Sequence, residues 1–225
     1  MVAVTFCATA EIIEEAGKKG AGIIITHEPT FYNHQDNTEG MDFCPVVKKK
    51  KELLEKYGIS IWRIHDRLHK SRPDIILDGV VKELGWERFR DPENPSVFIF
   101  DSISANEIAE IFKKKTGGRT PLISGDRNSR YSRVLLMPGA TGGQKQLAEY
   151  NSAKAEIIVC GEVSEWETPE YFRDSAFLGQ GGAVVVCGHA ESEKAGMKYL
   201  CEILQLFLTG VEIFYMEGSA LYTSR

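Results

Sequence analysis

Short runs of β-branched apolar residues alternate along the chain with longer stretches whose apolar positions recur at helical spacing. Residues 2–6 read as a strand, and Thr9 can cap a helix running to Lys18, with Gly20 just past its end. Residues 22–26 form a continuous apolar run, the pattern of a strand covered on both faces. A lysine-rich helix over 45–57 stops at Gly58. A strand over 59–64 and a helix over 74–84 come next, the latter ended by Gly85.

The turn-rich stretch Asp91-Pro92-Glu93-Asn94-Pro95 is the candidate domain boundary. Beyond it lies a strand at 97–100. Ser104-Ala105-Asn106-Glu107 then has capping-box spacing for a helix to about Lys115, stopped by Gly117-Gly118. Strands at 122–124 and 134–137 precede a helix at 143–150. Residues 156–159, 169–175, 183–187 and 192–207 continue strand, helix, strand, helix, and 211–215 offer a last strand. This order predicts an α/β fold with largely parallel pairing, without fixing the order of strands in a sheet.

Composition narrows the function classes. A net charge of −5 over 225 residues argues against a nucleic-acid surface as the main partner. No apolar run approaches the roughly 20 residues of a membrane span, and the opening residues lack the basic region of a signal peptide. Cys7, Cys44, Cys160, Cys187 and Cys201 are odd in number and widely spaced, so free thiols in a cytosolic protein are expected rather than cysteine-held zinc.

The candidate chemistry lies at the ends of three predicted strands, where α/β proteins gather functional groups. His27 and Glu28 follow the run 23–26, His65, Asp66 and His69 follow 59–64, and His189 and Glu193 follow 183–187. His189 and Glu193 are four apart, so a helical turn there would put both on one face. His27 and Glu28 are adjacent and would diverge in a regular strand, but Pro29 breaks the pairing and permits them to converge. The tract 67–73 is too polar and proline-limited to predict a helix, so the spacing of His65 and His69 does not by itself put them on one face. Asp66 could instead pair with Arg63 or Arg67. His34 reads as a solvated side chain.

Taken singly, each cluster has an ordinary alternative in solvated or backbone-bonded side chains. Jointly, His27, Glu28, His69, His189 and Glu193 offer three imidazoles and two carboxylates, enough for two divalent ions. Such a set suits zinc, iron or manganese better than magnesium or calcium. His65 remains as a group that could move protons. The glycine-rich turn at 139–143 could present amides to a phosphate, or could simply connect a strand to a helix tightly; it lacks the ending of a P-loop.

At these residues the chain resembles the Nif-three-like dinuclear metal-centre hexamer family, the GTP cyclohydrolase 1 type 2 homologues. Gly161-Glu162 and Cys187-Gly188-His189-Ala190-Glu191-Ser192-Glu193 look like its G-E and G-H-x-x-[ST]-E signatures. Thr26-His27-Glu28-Pro29 is similar to its [ST]-H-H-P, and His65-Asp66-Arg67-Leu68-His69 to its H-T-N-L-D. Glu28 thus stands at a family histidine and His69 at a family aspartate, a reciprocal exchange that keeps the ligand types; Asp66 is the fallback if His69 points away.

The resemblance implies two α/β lobes, a metal-binding lobe of 1–92 plus 184–225 and a second lobe of 93–183 inserted into it. It also implies a homohexamer. The family pattern begins before Met1, implying a short form or a missing N-terminal helix and strand. The expected function is hydrolysis of a nucleotide-like or small phosphorylated compound at two divalent ions, with GTP ring opening suggested by the family name. The alternatives are a metal-stabilised scaffold or regulatory adaptor, and a nucleotide-binding domain using 139–143 alone.

Overall fold

A computed structural model describes residues 1–41 and 43–222 and shows an α/β protein with two sheets. By packing, the chain divides into one unit of Met1–Gly79 with Gly196–Leu221 and a second containing Val80–Ala195. The two divisions fall inside helices. The sequence pointed instead to the turn at 91–95 and to the start of the run at 183–187. A polar, proline-rich turn marks a surface bend, which need not coincide with the place where contacts thin out.

The first unit opens with β1 (Val2–Thr5), α1 (Ala10–Lys18), β2 (Ile23–Thr26), α2 (Pro45–Tyr57), β3 (Ser60–Arg63) and α3 (His65–Lys70). Thr9 caps α1 by accepting from the Ile12 amide, and Gly58 ends α2 in the left-handed conformation that glycine adopts without steric cost. The chain enters the second unit through α4 (Ile75–Leu84) and returns to close the sheet with β9 (Ile213–Tyr215). All pairings are parallel, in the order β3-β2-β1-β9. Val4 and Ile25 pack on one face with Leu68, Ile76, Met197, Leu200 and Cys201. Ala3 and Ile24 pack on the other with Ile12, Ile13 and Ala16. The sheet is therefore covered on both faces, as the continuous apolar run at 23–26 predicts.

The second unit continues from α4 with β4 (Val97–Ile103), α5 (Ala105–Thr116), β5 (Leu122–Gly125), β6 (Tyr131–Met137), α6 (Gly143–Ser152), β7 (Ile157–Cys160), α7 (Thr168–Phe177) and β8 (Ala183–Val186). Its sheet is mixed, in the order β4-β6-β7-β8-β5, with β6, β7 and β8 parallel and both edge strands antiparallel. β7, β8 and the second half of β6 are buried around Leu135, Ile158, Phe172 and Val184. The capping box at Ser104 and Glu107 forms in full. Helix α8 (His189–Phe207) begins in this unit and ends in the first.

Two elements depart from the sequence reading. α3 exists where residues 67–73 promised no helix: Pro73 lies beyond its end at Ser71, and the Ile64 carbonyl accepts from the Arg67 and Leu68 amides to start it. α8 starts at His189, three residues ahead of the expected position.

Gly196 lies in α8 where an added Cβ would come within 2.5 Å of the Ile76 Cα in α4. Backbone cannot yield as a flexible side chain does, so Gly196→Ala is expected to cost about 1–3 kcal/mol of stability in urea unfolding. Gly22→Ala, whose Cβ meets nothing within 4 Å, is the control and should stay near neutral.

Candidate functional site

In the first unit the site begins with the backbone just past β2. The amides of His27 and Glu28 both donate to the Phe6 carbonyl, at 3.1 and 2.9 Å. Successive amides of a strand normally point to opposite sides. Their convergence breaks that alternation at Pro29 and brings the two side chains together, with His27 Nε2 3.8 Å from Glu28 Oε1. The Thr26 hydroxyl reinforces the bend by donating toward the Phe6 and Glu28 carbonyls. His27 is fully buried.

β3 delivers the next group to the same edge. Thr26 is the register partner of Arg63, and the Ile64 amide donates to the Thr26 carbonyl, so α3 starts level with His27. One helical turn then places His65 and His69 on one face, their ring centroids 5.0 Å apart. They lie 4.4 and 5.1 Å from the His27 ring. One nitrogen from each of these three imidazoles falls within 4.8 Å of the other two, a spacing that can hold a metal ion. His65 Nε2 lies 3.7 Å from Glu28 Oε1.

Carboxylates stand behind this cluster. His65 Nδ1 is 3.0 Å from Asp66, and His69 Nδ1 is 3.3 Å from Asp74. Asp66 also accepts from Lys70 and pairs with neither Arg63 nor Arg67; His65 and Lys70 hold its carboxyl down at about 2. Burial pushes the Asp74 carboxyl up, but its bonds from His69 and the Leu77 amide outweigh that and leave it below its ordinary value. For His65, burial and the neighbouring His27 and His69 lower the imidazole's proton affinity more than Asp66 and Glu28 raise it. His69 turns toward His27 and His65, while Asp66 turns to His65 and Lys70.

The second unit builds a group of its own at the start of α8. His189 and Glu193 lie one turn apart with Nε2 and Oε2 at 3.1 Å, and Glu193 is buried. His189 Nδ1 is 3.1 Å from Glu162, which lies just past β7. Close backbone approach makes room: Gly139 carries φ +72°, and a Cβ there would collide with the Glu193 carboxylate. The Gly139 amide donates to Ser192 Oγ at 3.0 Å, and its carbonyl accepts from the Gly161 and Glu162 amides. The Gly143 amide is spent on Glu167. The turn at 139–143 thus works as a tight connection that seats α8, and these amides are not aimed at a phosphate.

Three histidines share one arrangement. In His65, His69 and His189 a carboxylate takes Nδ1, which leaves Nε2 as the ring nitrogen that could meet an ion or a proton. Such outer carboxylates fix the tautomer of metal-binding imidazoles. In the first unit, His27, His65 and His69 form a group of imidazoles that could hold a metal ion.

Sequence reasoning missed Asp74 as the partner of His69, and it noted Glu162 without a role; each is a carboxylate within reach only after a turn of chain folds back. It also set His34 aside as solvated. His34 is exposed but fixed: its carbonyl accepts from Arg63 Nη1 at 2.5 Å, and its ring lies 6.3 Å from that of His65. Lys50, from the lysine-rich helix, is buried, and it donates to the Thr30 carbonyl at 2.5 Å.

Residues 1–220 match the family Duf34/NIF3 (NGG1p interacting factor 3), and the chain belongs to that family. It is 26% identical over 219 residues to a GTP cyclohydrolase 1 type 2 homolog of Mycoplasmopsis pulmonis, covering 93% of this chain and 81% of that one. A protein of the same name from Clostridium perfringens is 23% identical over 195 residues, covering 82% and 70%. Among solved structures, a Bacillus cereus protein related to NIF3 superposes with a TM-score of 0.74 at 14% identity, covering 100% of this chain and 89% of that one. Reduced HcgD from Methanocaldococcus jannaschii superposes with a TM-score of 0.66 at 22% identity, covering 95% and 82%. These likenesses carry the fold. No helix among the described residues is long and apolar enough to cross a membrane.

Two outcomes are expected from this geometry. Glu162→Gln should weaken metal binding about 10–100-fold in a chelator competition titration, by loosening His189, while leaving the fold intact. Separately, the folded pKa of His65 lies below its ordinary 6.5, so the unfolded chain binds the extra proton first. The metal-free protein should therefore gain stability from this group as pH rises through the range up to 6.5 and lose it on acidification. Denaturant midpoints of wild type and His65→Gln across that range check the sign.

Proposed function

We propose that this member of the Duf34/NIF3 family binds two divalent transition-metal ions and hydrolyses a small phosphorylated or nucleotide-like compound. His27, Glu28, His69, His189 and Glu193 are the proposed ligands. The observation that supports the reading best is the recurring carboxylate–imidazole pair at His65, His69 and His189, together with the burial of His27. A structural histidine is satisfied by any carbonyl, whereas three that each give Nδ1 to a carboxylate have been oriented for something at Nε2.

Bound divalent ions would supply Lewis acidity toward a phosphoryl or carbonyl oxygen and an activated water. The chain's own residues do the rest. Asp74 and Glu162 hold the ligand imidazoles in one tautomer. Glu28, beside His27 and His65, balances positive charge at the edge of β2. His65 is the proposed proton carrier, since its lowered proton affinity leaves it predominantly neutral near pH 7 and able to accept a proton. The names of the two relatives point to a guanine nucleotide as one substrate to try. Assembly as a hexamer in the cytosol is part of the same proposal, and light scattering of the purified protein tests the assembly.

A second reading has its own support: His65 itself ligates, because its nitrogen lies within 4.8 Å of those of His27 and His69. Elemental analysis of protein purified without chelator separates the two. Under the main reading, His27→Ala and Glu193→Gln each lose metal, while His65→Gln keeps full metal content and loses turnover at least about 100-fold. Metal lost from His65→Gln as well makes His65 a ligand. Full metal content in both His27→Ala and Glu193→Gln would overturn the proposal.

A further inference from the structure

The fold holds one cation at the imidazole cluster that the proposed ligand set does not use. Arg63 closes β3, and its guanidinium is tied only to neutral groups. Nε donates to the His27 carbonyl at 3.4 Å, Nη1 to the His34 carbonyl at 2.5 Å, and Nη2 lies 3.4 Å from His34 Nδ1. Among the described residues no carboxylate stands within salt-bridge distance of it. Nearby Asp66, three positions on from Arg63, is turned to His65 and Lys70. A guanidinium has five N–H donors, and these contacts leave one on each Nη. Paired Nη donors match the spacing of two phosphate oxygens.

His34 stands on this edge because its loop is built. The Asp36 carboxylate accepts from the Thr30 and Phe31 amides at 2.9 and 2.6 Å. The Asn33 side chain spans the loop, donating to the Phe31 and Asn37 carbonyls and accepting from the Asn37 amide. Buried Lys50 anchors the loop's start through the Thr30 carbonyl and lies against the Phe31 and Tyr32 rings. Tyr32 and Asp36 sit in left-handed backbone on either side of His34, a conformation kept only where surrounding bonds enforce it. An exposed imidazole is thereby held 6.3 Å from the ring of His65 without being part of the cluster.

We propose that Arg63 and His34 form an oxyanion-recognition edge that holds the terminal phosphate of a small ester beside His27, His65 and His69. The inference rests on the metal-dependent reading given above and narrows its substrate to a phosphate monoester. Arg63 would grip two phosphate oxygens, and His34 would donate to a third or stack on the leaving part. An uncompensated guanidinium beside imidazoles costs the apo protein some repulsion, which an anion removes.

The test measures binding of inorganic phosphate and of phenyl phosphate by calorimetry, with metal content determined on the same samples. Wild type, Arg63→Gln, Arg63→Lys and His34→Gln are compared, zinc-loaded and chelator-treated. Arg63→Gln is expected to weaken both anions at least about tenfold with metal content unchanged. Arg63→Lys should restore part of that loss, since it returns the charge without the fork, and His34→Gln should weaken binding a few-fold. Unchanged anion affinity in Arg63→Gln overturns the edge, and so does loss of metal together with phosphate, which would make Arg63 a support for His27. Phosphate bound but phenyl phosphate refused overturns the ester as ligand. The two proposals fail separately: Arg63-dependent phosphate binding in a protein that holds no metal sinks only the metal reading, and metal bound without anion affinity sinks only the edge.

Discussion

The amides of His27 and Glu28 share a single acceptor, the Phe6 carbonyl, and the imidazole cluster depends on that shared bond. Had β2 continued as a regular strand, Glu28 would face away from His27 and the pair could not act on one centre. The bend is possible because Pro29 cannot donate to a ladder, and because β1 ends one residue before Phe6 and frees its carbonyl. Parallel pairing then propagates the position. Thr26 is in register with Arg63, so the element after β3 must begin beside His27, and that element is α3 with its two histidines.

The second group depends on close approach rather than on pairing. The start of α8 can sit against the loops after β6 and β7 only where those loops lack side chains. Gly139 and Gly161 supply this, since a Cβ on either would meet Glu193 or Ser192. Ser192 then ties the turn after β6 to α8, accepting from Gly139 and donating to the His189 carbonyl. The glycines are needed by geometry, and the Gly139 amide is spent inside the protein. A glycine-rich turn between strand and helix therefore has two physical uses, and the neighbour that its amides meet tells them apart.

Most of the fold was legible because local and tertiary preferences agree. The apolar run at 23–25 lies in a sheet covered on both faces; the capping box at Ser104 forms as its spacing predicts. Legibility failed where a short element is fixed by one tertiary contact. α3 is six residues with a single buried side chain, Leu68, and nothing in its polar sequence announces that anchor. The same limit hid Lys50, whose ammonium is drawn inside by a loop carbonyl and two aromatic rings. It also hid His34, because no periodicity reports a bond from Arg63, twenty-nine positions away. The antiparallel edges of the second sheet were equally out of reach, since strand order is set by connections that period alone does not encode.

Glu28 and His69, which stand where the resemblance implies a histidine and an aspartate, each fit the groups beside them. A histidine at position 69 needs a second group to choose its tautomer, and Asp74 stands at 3.3 Å from its Nδ1 to do so. An aspartate there would need no such partner and would be repelled by it. Glu28 faces the opposite situation: it sits against His27 and His65, where a third imidazole would crowd two others and any protonated state would add like charge. The two substitutions are thus each favoured by the group already beside them. Asp74 and His69 are coupled on one side and Glu28 and His65 on the other, so reverting either position alone places like beside like. Reverting both at once would still leave Asp74 facing an aspartate, so the two positions cannot be changed without regard to Asp74.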